Sequence, residues 1–130
     1  MSKKLLLDTT VLIDLSRGNI AAADFIDAAF VAETTLFISI ISAMEIVWGC
    51  RNKTEVAKIQ RLIADFNLVH LTPHASARAY DLMLAYSKSH HLAIPDALIA
   101  ATALSHNLDL ATDNERHFKM IPELNVRHPY

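Results

Sequence analysis

Residues 5–14 read LLLDTTVLID, and the reading of this stretch decides the architecture. Lys3 to Leu7 is a short apolar run bounded by polar residues, the pattern of a strand buried inside a parallel sheet. Thr9 or Thr10 then caps a short helix running through Leu15, and Gly18 marks its end. A strand, an acid and a helix thus follow one another without a break.

The same alternation continues outward along the chain. Ala21 to Phe30 is alanine-rich and helical in propensity, and Leu36 to Ile41 (LFISII) has the isoleucines and phenylalanine that suit a second strand. Ser42 opens a helix that stops near Gly49. Val56, Ile59, Ile63 and Phe66 recur at spacings of three and four, one apolar stripe of an amphipathic helix. Leu68 to Leu71 reads as a third strand, Pro73 and Pro95 each begin a helix, Leu108 to Thr112 is a fourth strand, and Leu124 to Val126 a weak fifth. The segment ALIAATAL after Asp96 is apolar nearly all round, so its helix is expected to be central and buried. Strands alternating with helices imply right-handed crossovers. The expected fold is α/β: a mostly parallel sheet of four to five strands with helices on both faces.

Length and composition bound what such a fold can do. The chain has 130 residues, 52% hydrophobic and 20% charged, and reads as one folded domain over residues 1–130. No apolar run approaches the 18 or so residues that span a bilayer. Asp8 cuts the first apolar run too short for a signal peptide, so no membrane association and a cytoplasmic location are expected. Cys50 is the sole cysteine, which excludes an internal disulfide and any multi-cysteine metal site, and it reads as an inert thiol. The net charge of −2 gives no global sign of nucleic-acid binding, although Lys3, Lys4, Arg17, Arg51, Lys53, Arg116 and Lys119 flank the acidic segments. Seven histidines occur without a ligand pattern such as H-E-x-x-H; His90 and His91 are adjacent and cannot share a helix face.

Four acids stand where a strand ends or a helix begins: Asp8, Glu45 in SAMEIVWG, Asp96 in IPDALIAATAL, and Asp113 in LATDNERHF. In an open α/β sheet such positions converge on one crevice at the carboxyl ends of the strands. Each has an ordinary structural explanation. Asp8 suits an Asx-turn or helix cap, Ser42 to Glu45 suits a capping box, Asp96 suits the positive end of its helix, and Asp113 with Asn114 suits a turn. Together they gather carboxylates that repel unless a cation lies between them. Hard divalent ions take such oxygen ligands, so a metal-dependent enzyme acting on phosphodiesters is expected.

The four segments resemble those of PIN-domain ribonucleases, particularly the VapC-type toxins of toxin–antitoxin pairs. LLLDTTVLID resembles that family's D-T-x-x-L-I-D opening, and ISAMEIVWG its S-x-x-E-x-x-x-G segment. IPDALIAATAL resembles the D-x-x-I-A-A-x-A segment, and LATDNERHF the closing T-x-N-x-x-x-F. The resemblance implies a PIN-like domain and an Mg²⁺- or Mn²⁺-dependent endoribonuclease. Asp8, Glu45 and Asp96 match its metal-site acids, with Asp113 as a fourth catalytic candidate. Thr112 matches the polar residue that closes the site, and Asn114, Arg116 and His117 are candidates for contacting RNA. The family often has Asp or Asn two residues after that threonine; here that place is Asn114, the acid Asp113 stands one earlier, and the two remain alternatives. His117 stands where the family often has an acid. The resemblance also implies an RNA substrate, a cognate antitoxin and a homodimer. An exposed face along 24–32 or 53–65 is available to a partner. Two further readings are a housekeeping nuclease of this fold and a catalytically silent binding module. A phospho-acceptor receiver domain is disfavoured, because ATDNERH places no lysine after the fourth strand.

Overall fold

The computed structural model describes residues 3–130; Met1 and Ser2 of the expected domain lie outside the described residues. Five strands form one sheet: β1 (Lys4–Leu7), β2 (Thr35–Ser39), β3 (Asn67–Val69), β4 (Asp109–Ala111) and β5 (Val126–Arg127). The order is β3-β2-β1-β4-β5, and every neighbouring pair is parallel. Six α-helices surround it: α1 (Thr9–Ser16), α2 (Ile20–Val31), α3 (Ile40–Trp48), α4 (Lys53–Ile63), α5 (Pro73–Tyr86) and α6 (Ile94–Ser105). A 3₁₀ turn covers Glu115–His117.

Side-chain alternation divides the core into two layers. Leu6 and Leu110 point into one cluster with α5 and α6, whose central members include Ala97, Ile99, Ala100 and Ala101. Leu5, Leu7, Leu36, Ile38 and Ala111 point to the opposite face, against Val11, Leu12, Ile26, Ile46 and Ile59. A sheet covered on both faces must be apolar on both, which is why β1 reads LLL without a polar interruption. The alanines of α6 are all buried, and their small side chains let that helix lie close to the sheet.

Several boundaries move relative to the sequence reading. The second strand stops at Ser39; Ile40 and Ile41 belong to α3, although their β-branched side chains favour strands. Ser39 caps α3, its hydroxyl accepting from the Ser42 N–H at 3.0 Å, so the expected capping box on Ser42 does not form. A local hydrogen bond at the strand end outweighs intrinsic β propensity there. The third strand is Asn67–Val69 rather than 68–71, and the fifth Val126–Arg127 rather than 124–126. The stripe expected over 56–66 is the helix Lys53–Ile63, started by Asn52, whose side chain accepts from the Glu55 N–H. Gly18 does end α1, with φ at +76°, a conformation glycine adopts freely.

This order positions a site. From β1 the chain builds outward through β2 and β3, then returns to place β4 and β5 on the other flank. The direction reverses between β1 and β4, and a crevice opens beyond the carboxyl ends of those two strands. Asp8 directly follows β1, and Thr112 directly follows β4.

Candidate active site at the carboxyl ends of β1 and β4

Asp8 anchors the crevice. Its backbone N–H donates to Ala111 O at 2.9 Å, continuing the β1–β4 ladder by one residue. It occupies the cap position of α1 without a side-chain cap bond. The carboxylate instead receives two hydroxyls on one oxygen: Thr112 Oγ1 donates to Oδ2 at 2.7 Å and Thr10 Oγ1 at 3.3 Å. Asp8 is 4% exposed and Thr112 fully buried. Burial raises the Asp8 pKa above the usual aspartate range, and the bonds from Thr112, the Thr9 backbone and Thr10 act against it. The Asx-turn and cap explanations therefore do not describe this side chain.

Glu45 faces the crevice from the middle of α3. Thr9 Oγ1 donates to Glu45 Oε1 at 2.7 Å and stands 2.9 Å from the Ser42 hydroxyl. Glu45 is thus held by α1 rather than bonded back to its own helix start. Asp96 lies in the first turn of α6, where its helix also has no side-chain cap bond. The Asp96 pKa is pushed up to about 6, first by burial and then by the charge of Asp8, with Glu45 adding to it and His117 opposing. His117 Nδ1 lies 3.3 Å from Asp96 Oδ2. Asp8, Glu45 and Asp96, drawn from three separate elements, therefore share one electrostatic environment.

The other candidates divide. His117 joins the cluster through Asp96, and Thr112 through Asp8. Asn114 is exposed, and its backbone N–H donates to Thr112 Oγ1 at 3.0 Å. Arg116 is exposed and makes no hydrogen bond or ion pair with the three acids among the described residues. Asp113 turns elsewhere: Tyr130 Oη lies 3.4 Å from its Oδ2, and Asp14 is its near carboxylate. Burial, then Asp14, raises the Asp113 pKa, whereas the Tyr130 hydroxyl lowers that of Asp14. Asp14, Thr9, Thr10 and Tyr130 were not among the sequence candidates. The first three lie inside the LLLDTTVLID stretch, so their signal was present; Tyr130 carried none.

The three acids offer oxygen donors, which suit Mg²⁺ or Mn²⁺ better than a softer ion. Among the described residues no three His, Cys, Asp or Glu side chains stand together as a group that could hold a metal ion by themselves. Mg²⁺ normally retains several waters and needs few protein ligands, so one or two of the acids suffice to hold it. The repulsion that lifts Asp96 is the kind a cation between the acids would relieve.

A sheet with this reversal and an acidic crevice at its carboxyl edge agrees with the model of the PIN domain, which matches residues 5–124. The chain belongs to the PIN-domain family. It is 39% identical over 121 residues to ribonuclease VapC10 of Mycobacterium tuberculosis, covering 92% of this chain and 90% of that protein. It is 32% identical over 120 residues to ribonuclease VapC19 of the same species, covering 92% and 95%. Among solved structures it is similar to a toxin–antitoxin complex from Klebsiella pneumoniae, at 31% identity and a TM-score of 0.76, covering 97% of this chain and 98% of that one. DNA-bound VapBC from Salmonella typhimurium shares the fold at a TM-score of 0.83 and 22% identity, covering 98% of each chain.

Proposed function

We propose that this chain is a metal-dependent endoribonuclease, the toxin of a toxin–antitoxin pair, acting in the cytoplasm as a single domain over residues 1–130. The observation that supports the reading is that Asp96 feels the charges of both Asp8 and Glu45 and is pushed up to about 6 by burial and by those charges. The ribonuclease names of the relatives at 39% and 32% identity support RNA as the substrate. The toxin–antitoxin complex at 31% identity supports a protein antitoxin.

Asp8, Glu45 and Asp96 would hold the ion. When bound, Mg²⁺ or Mn²⁺ supplies an acidified water and neutralises charge at the phosphate. The chain's own residues supply orientation. Thr112 and Thr10 hold Asp8 through a single oxygen, and Thr9 holds Glu45, so neither carboxylate has to be ordered when RNA arrives. His117, half exposed beside Asp96, stands at the rim where a substrate phosphate would approach, with Asn114 and Arg116 on the same loop. Asp113 serves this site indirectly.

Purified, antitoxin-free protein should cut RNA from a mixed tRNA and structured-RNA pool with Mg²⁺ or Mn²⁺ and not with EDTA. Asp8→Ala and Asp96→Asn should each lower the rate by roughly 10²-fold or more, the scale of losing a major electrostatic group in a site. Folded wild-type protein that cuts nothing under either metal would move the reading to a silent binding module. Cleavage unchanged in both variants would remove the metal-site assignment.

A further inference from the structure

We infer that Tyr130 is a positioning residue of this site: its hydroxyl bridges Asp14 and Asp113 and so holds the loop that carries Thr112 against Asp8. The inference rests on the nuclease reading for its kinetic consequence, but its geometry stands apart from that reading.

β5 is parallel to β4, so the chain leaving β5 emerges at the same end of the sheet as Asp8 and Thr112. The Tyr130 ring packs edge-on against Phe25 of α2, with centroids 6.2 Å apart, and against His128 at 6.4 Å. Its hydroxyl donates to Asp14 Oδ2 near the end of α1 and lies 3.4 Å from Asp113 Oδ2 on the loop after β4. One proton therefore stands between two carboxylates from different elements. From Asp113 the connection continues inward: its backbone N–H donates to Thr10 Oγ1 at 3.3 Å, and Thr10 Oγ1 donates to Asp8 Oδ2 at 3.3 Å. Thr112, the residue before Asp113, makes the shorter bond to that same oxygen.

Remove the phenolic proton and two like charges face each other with no donor between them. They separate, and Asp113 is the partner on a loop, whereas Asp14 is tied into a helix. Movement of Asp113 drags Thr112, the hydroxyl that orients the buried Asp8. The carboxylate of Asp113 is thereby assigned to the frame of the site. It faces Asp14 and Tyr130 rather than the three acids of the crevice.

Tyr130→Phe keeps the ring packing and removes only the hydroxyl. Its kcat for RNA cleavage should fall roughly three- to tenfold with KM within about twofold of wild type, the scale of one hydrogen bond. Adding Asp14→Asn should return kcat to within about twofold, because an amide does not repel Asp113 and can donate to it. Amide NMR shifts give a second readout: Tyr130→Phe should move residues 112–114, and the double variant should move them back. Wild-type kcat and unshifted 112–114 resonances in Tyr130→Phe would overturn the inference, as would a double variant no better than the single one. If wild-type protein cuts no RNA, the nuclease reading fails by itself and the resonances alone decide the role of Tyr130.

Discussion

Asp96 shows how one residue can be costly for the fold and valuable to a site. Its side chain is 23% exposed, and with no cation present its pKa rises from the ordinary 3.8 to about 6, burial being the largest cause. A carboxyl whose folded pKa is raised binds its proton more tightly in the folded state. Folding stability is therefore greatest below the unfolded value and falls as pH rises from about 4 to about 6. At about 1.4 kcal/mol per unit, the loss from this group is at most about 3 kcal/mol. Asp96→Asn should abolish that loss. In EDTA at pH 7 the variant should be more stable than wild type by about 1–3 kcal/mol, and the gain should vanish near pH 4. Urea unfolding across this range measures it, and a gain that persists unchanged at pH 4 would contradict the assignment.

At the scale of elements, the junction between β2 and α3 decides where Glu45 faces. Ser39 is fully buried; its Oγ accepts from the Ser42 N–H at 3.0 Å and lies 3.3 Å from the Ser42 hydroxyl. Ser42 in turn adjoins Thr9, the donor to Glu45. The cap thus sets the start of α3 and the first link of the chain that orients the acid. Ser39→Ala should cost about 1–2 kcal/mol, seen as a lower urea midpoint at unchanged slope. A midpoint equal to wild type would show that the cap contributes nothing. This junction also marks where the sequence reading failed. LFISII is a continuous β-favouring run, and only the pairing of Ser39 with Val69 on β3, followed by the turn into α3, shows where strand becomes helix. The extent of β1 was legible because its flanking polar residues bound the apolar run on both sides.

For the whole molecule, the expected homodimer turns on exposed apolar surfaces that the sequence reading located only in part. The sequence offered faces along 24–32 or 53–65. In the structure Phe30 and Val31 of α2 are exposed, and so are Met44, Val47 and Trp48 of α3 and Tyr80 and Leu84 of α5. Trp48 is 88% exposed, an unusual setting for a large aromatic side chain and one characteristic of contact surfaces. The exposed apolar residues of α3 make it the first surface at which to test the expected dimer. Wild-type protein should then show twice the 14.5 kDa chain mass by light scattering, and Trp48→Asp should shift it toward monomer without loss of helical signal. A monomeric wild type would refute the dimer, and a dimeric Trp48→Asp would move its interface away from α3. Among the described residues no helix is long and apolar enough to cross a membrane.

The sequence by itself determined the α/β class, the family, and the segments that carry Asp8, Glu45, Asp96 and Thr112. Apolar periodicity and strand–acid–helix junctions are local signals, readable within ten residues. Tertiary structure alone decided which acids meet. Asp113 was as conspicuous in sequence as Asp96, yet it faces Asp14, 99 residues before it, and Tyr130, 17 residues after it, through hydrogen-bond geometry that no local pattern encodes. His117 meets Asp96 for the same reason. Side-chain direction at a strand end depends on what the neighbouring strand and the next helix place beside it, and those neighbours come from distant parts of the chain.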